Sequence, residues 1–128
     1  METVFATAIN CIDGRVQMPV IEWIKREYGV LYIDMITEPG PNKILAKSTD
    51  QAKLESIRKR LEISVEKHNS RVVAVIGHYD CAGNPVEEKV QLKQIIAAVQ
   101  VVKEWNMRIE VIGLWIDKNW QVEVVESK

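Results

Sequence analysis

Two short stretches hold the residues with chemistry to offer. "CIDGR", Cys11 to Arg15, sets a thiol, a carboxylate and a guanidinium close together. "GHYDC", Gly77 to Cys81, turns a β-branched run into an imidazole, a carboxylate and a thiol. Cys11, His78 and Cys81 would supply two thiolates and one imidazole, a set that suits zinc and is poor for magnesium or calcium. Three protein ligands with an open fourth position is the catalytic pattern of zinc, whereas a closed four-ligand site is usually structural. Asp13 and Arg15 stand two apart, and arginine can grip a carboxylate through two parallel hydrogen bonds. The carboxylate could then accept a proton from water at the open position, or become the fourth ligand itself.

Ligands from distant parts of a chain need elements that bring them together. "TVFATAIN" is short and apolar and runs into the Asp13-Gly14 turn signal, so it reads as a strand. Pro19 suits the first turn of a helix over "VIEWIKREY", which Gly29 stops. "VLYIDMI" is a second strand, and the two prolines of "TEPGPN", Thr37 to Asn42, mark a loop. A helix capped by Ser48, with Gln51 in capping-box spacing, carries the stripe Leu54, Ile57, Leu61 and Val65. "RVVAVIG" is a strand buried on both faces, and Gly77 relieves crowding where the chain leaves it.

Asn84 and Pro85 then read as cap and first residue of a helix bearing Leu92, Ile95, Ile96, Val99 and Val102. The positive end of that helix would help ionise Cys81. "RIEVIGLWI" and "WQVEVVE" are strands joined through "DKN" as a hairpin. This alternation predicts one α/β domain over residues 1–128, a mostly parallel sheet with helices on both faces. Cys11 and Cys81 follow the carboxyl ends of two strands, where such sheets bind ligands. If those strands are neighbours, their ends lie about 4.8 Å apart and one ion can reach both.

Composition excludes other classes. A net charge of −1 provides no field for nucleic acid or acidic membrane. The cluster Arg58-Lys59-Arg60 is offset by Glu55 and Glu62 and reads as a solvated helix face. The first ten residues lack a secretory pattern, and the apolar runs are too short to span a bilayer, so a cytoplasmic protein with reduced thiols is expected.

"CIDGR" with "HYDC" resembles the paired motifs of the β-class carbonic anhydrases, Cys-x-Asp-x-Arg and His-x-x-Cys. The resemblance implies a three-layer α/β/α fold of strand order 2-1-3-4 with an antiparallel fifth strand at the edge. It implies Cys11, His78 and Cys81 as zinc ligands and Asp13 with Arg15 as the catalytic dyad. It implies hydration of carbon dioxide to bicarbonate by zinc-activated water. Gly14, Ala82 and the stretch "TEPG" depart from the usual family residues. The family pairs subunits near the site, and the last strand offers an edge, so a homodimer or larger homo-oligomer is expected.

Other readings of the same residues are a zinc protein without turnover, a hydrolase of carbonyl sulfide or carbon disulfide, and a thiol-redox protein using Cys11 and Cys81. For Asp13 and Arg15 the plainer alternative is a structural ion pair. His68 reads as a solvent-facing residue at a helix end, Asp80 as a cap for the next helix, and the four tryptophans as core or dimer surface.

Overall fold

The structure, a computed structural model, describes residues 3–126. The chain forms β1 (Phe5–Cys11), a 3-10 turn (Gly14–Val16), α1 (Gln17–Tyr28), β2 (Tyr32–Glu38), α2 (Pro41–Lys47) and α3 (Gln51–Lys67). β3 (Val72–His78), α4 (Glu88–Glu104), β4 (Glu110–Ile116) and β5 (Val122–Glu126) follow. The sheet order is β2-β1-β3-β4-β5, parallel except for β5 against β4, as the resemblance implies. Among the described residues no helix is long and apolar enough to cross a membrane.

Successive side chains of a strand point to opposite faces, so a strand covered on both sides must be apolar throughout. All seven residues of β3 are buried. Val72, Ala74 and Ile76 pack in a core with Val16, Val20 and Ile24 around α1. Val73 and Val75 join the other core, with Leu45, Ile57, Leu61, Ile95 and Val99 from α2, α3 and α4. From β1 the chain goes outward to β2, then returns to β3 on the other side of β1. The carboxyl ends of β1 and β3 therefore border the point where strand order reverses.

Three helix starts differ from the sequence reading. Thr37 and Glu38 complete β2, and α2 begins at Pro41, so "TEPGPN" is not a loop. Gly40 supplies a left-handed turn (φ 62°), and Pro41 takes the first helical position, where its missing N–H would have no partner anyway. Ser48 ends α2; α3 is capped by Asp50, whose Oδ1 accepts the Lys53 N–H at 3.1 Å. Asn84 and Pro85 do not open α4, which begins at Glu88. The Asn84 carbonyl instead accepts the Val86 N–H at 2.8 Å, a tight turn that delays the helix.

His68 is exposed at the end of α3 but is tied down. Its Nδ1 lies 2.7 Å from Asp34 Oδ2, and its ring stacks on Phe5 at 4.2 Å. Trp115 is core, Trp105 is partly buried against that same core, and Trp23 and Trp120 are partly buried against the core around α1.

The loops after β2 and β3 touch backbone to backbone. A Cβ on Gly83 would stand 2.6 Å from the Pro39 carbonyl carbon and 2.7 Å from its Cβ. Gly83→Ala must force the loops apart and is expected to cost about 2 kcal/mol. A lower denaturant midpoint at unchanged slope is the signature.

Candidate metal centre

Cys11 is the last residue of β1, His78 the last of β3, and Cys81 follows in the next loop. The structure brings all three together. Their ligating atoms lie within 4.8 Å of one another, the two sulfurs 3.8 Å apart, and each side chain is buried.

Side-chain amides hold both strand ends. On the β1 side, Asn10 Oδ1 accepts the Cys11 N–H at 2.9 Å. Gln17 Nε2 donates to the carbonyls of Cys11 at 2.7 Å and Asp13 at 2.9 Å. On the β3 side, Gln91 brackets His78: its Oε1 accepts the His78 N–H at 3.2 Å, and its Nε2 donates to the His78 carbonyl at 2.7 Å. Asn42 Nδ2 donates to the same Oε1 at 3.2 Å. Gly77 stays inside β3 and makes room for these amides, since a Cβ there would lie 2.8 Å from Gln91 Oε1.

Sequence reasoning missed Gln91, although a signal exists. It occupies the buried stripe of α4 with Ile95, Ala98, Val99 and Val102, a polar residue on an apolar line. Gln91→Leu would strand the backbone of His78 and the Asn42 amide, each at about 1–3 kcal/mol. We expect a loss of stability of about 3 kcal/mol and roughly tenfold weaker metal binding. Thermal unfolding and a competitive chelator titration measure the two effects.

The His78 ring is oriented for ligation. Its Nδ1 lies 2.7 Å from the Tyr79 carbonyl, which can only accept, so Nδ1 carries a proton. That leaves Nε2, a buried atom with no hydrogen-bond partner among the described residues. Natural proteins rarely leave such an atom orphaned without a purpose. Burial pulls the His78 pKa down, but the Cys11 sulfur beside it and the Tyr79 carbonyl outweigh this, and the net shift is upward.

The sulfurs behave as a pair. Cys11 is held well below the usual thiol range, mainly through its hydrogen bond with Cys81; burial opposes this, while His78 and the N–H groups of Gly40 and Asp13 assist. Cys81 is pushed far up, by the Cys11 thiolate first and by burial second. One proton is thus shared between two sulfurs that cannot both be anionic so close together. A dication removes that restriction. The expected ionisation of Cys81 by α4 is not observed. The helix starts too late, and only the N–H groups of Gly83 and Asn84 act in that direction. Two sulfurs and one unpartnered imidazole nitrogen fit zinc chemically.

Asp13 lies outside the ligand group and is turned into Arg15. Its Oδ2 accepts from Arg15 Nη2 at 2.7 Å and Nε at 3.2 Å. Its Oδ1 accepts from Nε at 3.1 Å and from the Arg15 backbone N–H at 2.9 Å. These bonds lower the Asp13 pKa from 3.8 to about 2, with burial opposing. Asp80 does not cap α4. It sits in left-handed backbone (φ 57°), and its Oδ2 lies 3.3 Å from Arg15 Nη1.

Comparison with known proteins bears on the family and the fold. No curated protein matches the sequence. The β-carbonic anhydrase isoform I of Trichomonas vaginalis shares 16% identity at a TM-score of 0.59, covering 94% of this chain and 82% of that one. A carbonic anhydrase from Glaciozyma antarctica shares 16% at a TM-score of 0.61, covering 98% and 84%. A β-carbonic anhydrase from Sordaria macrospora, described as tetrameric, shares 12% at 0.61, covering 96% and 81%. At such identities the likeness establishes the fold. The family described as "Putative carbonic anhydrase" matches residues 1–126. The chain belongs to that carbonic anhydrase family and carries the β-carbonic anhydrase fold.

Proposed function

We propose that the protein is a zinc-dependent carbonic anhydrase, a lyase that hydrates carbon dioxide to bicarbonate. The reading is carried by one juxtaposition. A buried, unpartnered His78 Nε2 sits in one group with two sulfurs, and Asp13 nearby is held aside by Arg15. Cys11, His78 and Cys81 would hold zinc, which when bound supplies the Lewis acidity that makes water a nucleophile near neutral pH.

The remaining work falls to this chain's own groups. Arg15 keeps the Asp13 carboxylate ionised and clear of the ligands through Nε and Nη2. Asp13 then accepts a hydrogen bond from the reacting water and directs its lone pair toward carbon dioxide. With a pKa of about 2 it orients that proton and does not store it. The proton released on forming bicarbonate therefore passes to solvent or buffer.

The experiment pairs zinc content with the initial rate of carbon dioxide hydration. Zinc with a rate proportional to it supports the reading. Zinc without hydration favours the non-catalytic zinc protein, and faster turnover of carbonyl sulfide would reassign the substrate.

In our reading the protein works as a homodimer or larger homo-oligomer in a reducing compartment, the cytoplasm. β5 is an edge strand with Val124 exposed, and the Sordaria macrospora relatives are described as tetrameric. Sedimentation at micromolar concentration is expected to give at least a dimer; a monomer would count against it.

A further inference from the structure

Arg15 is held from three directions, two of them by residues in left-handed backbone. Its side chain is nearly half exposed (46%), and an ion pair so open to water fixes a long side chain weakly. Asp13 grips it from the same turn. From the loop after β3, the Asp80 Oδ2 accepts from Nη1 at 3.3 Å and the Asp80 carbonyl accepts from Nη2 at 3.1 Å. From the β4–β5 hairpin, the Trp120 ring lies 4.7 Å from the guanidinium carbon.

Trp120 stands in left-handed backbone, φ 60°. The hairpin requires this of whichever residue is there. The Asp117 carbonyl accepts the Trp120 N–H at 2.9 Å, and the Gln121 carbonyl accepts the Asp117 N–H at 3.0 Å. Such a loop, Lys118 to Trp120, ends at a left-handed position that glycine normally fills. A bulky aromatic there is an outlier. Asp80 is left-handed as well, φ 57°. Residues in such conformations persist where the surroundings over-determine them, often at functional sites. Here both converge on one guanidinium.

We propose that Trp120 is a positioning residue whose ring, with Asp80 on another side, fixes Arg15 in the orientation that grips Asp13. The division of labour follows from guanidinium chemistry. Its N–H fork lies in the plane and serves the carboxylates, while its face is free for an indole. The inference rests on the Asp13–Arg15 dyad proposed above.

The test uses zinc-loaded full chain as wild type, Trp120→Phe and Trp120→Gly. Glycine relieves the strained backbone, so the fold is expected to survive it, which a thermal melt checks. Trp120→Gly should loosen Arg15, read as a lower NMR order parameter of its Nε–H bond and faster exchange of that proton with water. It should also lower kcat about fivefold, with zinc content unchanged. Trp120→Phe keeps an aromatic face and should stay near wild type in order parameter and in kcat. An Arg15 Nε–H as ordered in Trp120→Gly as in wild type, or Trp120→Phe as impaired as Trp120→Gly, would overturn the proposal. If wild type hydrates no carbon dioxide while Trp120→Gly loosens Arg15, the clamp stands and the catalytic role of the dyad falls.

Discussion

Replacing Cys81 by alanine is expected to leave a folded protein that no longer retains zinc. Losing one sulfur from a packed loop leaves a small cavity, worth about 1 kcal/mol. The effect on the metal is larger. Structural zinc sites gain about 10–16 kcal/mol from four ligands, so one of three is worth on the order of 3 kcal/mol and more than 100-fold in affinity. His78 Nε2 and the Cys11 sulfur would remain, a pair that cannot hold the ion against a chelator. Elemental analysis and a competitive chelator titration read this directly. Full zinc occupancy in Cys81→Ala would mean that the ligands lie elsewhere. In wild type, affinity should fall as pH drops below neutrality, by about tenfold per unit for each proton the metal displaces.

Arg15→Ala is expected to keep its zinc and lose its turnover. A guanidinium has no lone pair to offer and stays charged, so it is no ligand. Its removal frees Asp13, whose carboxylate can then swing onto the ligand group and take the fourth position. Loss of the group that orients the reacting water costs on the order of 100-fold in rate. Lysine should restore part of this, because a point charge cannot reproduce the planar fork that serves both carboxylate oxygens.

A second readout is independent of activity. In wild type, Asp13 titrates at about 2, below its ordinary 3.8, because of Arg15. Its folded value is thus depressed: the contribution of the pair is present above pH 4 and lost as pH falls through 2. Arg15→Ala should return the carboxyl to the ordinary range in metal-free protein, measured by carboxyl NMR. Full hydration activity in Arg15→Ala would sink the dyad, whatever the titration shows.

How much of this could be read from residues alone depends on the range of the interaction. β3 was legible because a strand covered on both faces has one way to be written, and "VVAVIG" is written that way. Cys11 and His78 were legible because each ends a strand, and a sheet that reverses its order beside β1 brings those ends together. α2 was hidden by its prolines. Pro39 and Pro41 both resemble breakers, but with Gly40 in left-handed backbone the second becomes a helix start. Asn84 looks like a cap, yet its backbone turns back on Val86 and its side chain is buried against Gln94.

The contacts of Asp80 and Trp120 with Arg15 join elements far apart in the chain, and no local spacing signals them. Gln91 is the intermediate case. Its place on an apolar stripe marks it as buried, but its partners become visible only once β3 and α4 are packed.

The central claim is that this Cys-His-Cys group, with Asp13 held by Arg15, makes the protein a carbonic anhydrase. The most direct measurement is the exchange of oxygen-18 between labelled carbon dioxide and water, followed by mass spectrometry at measured zinc content. The expected result is label depletion that accelerates in proportion to zinc, reaches its maximum near one zinc per chain, and collapses in Cys81→Ala. Depletion no faster than in buffer, at one zinc per chain, would contradict it.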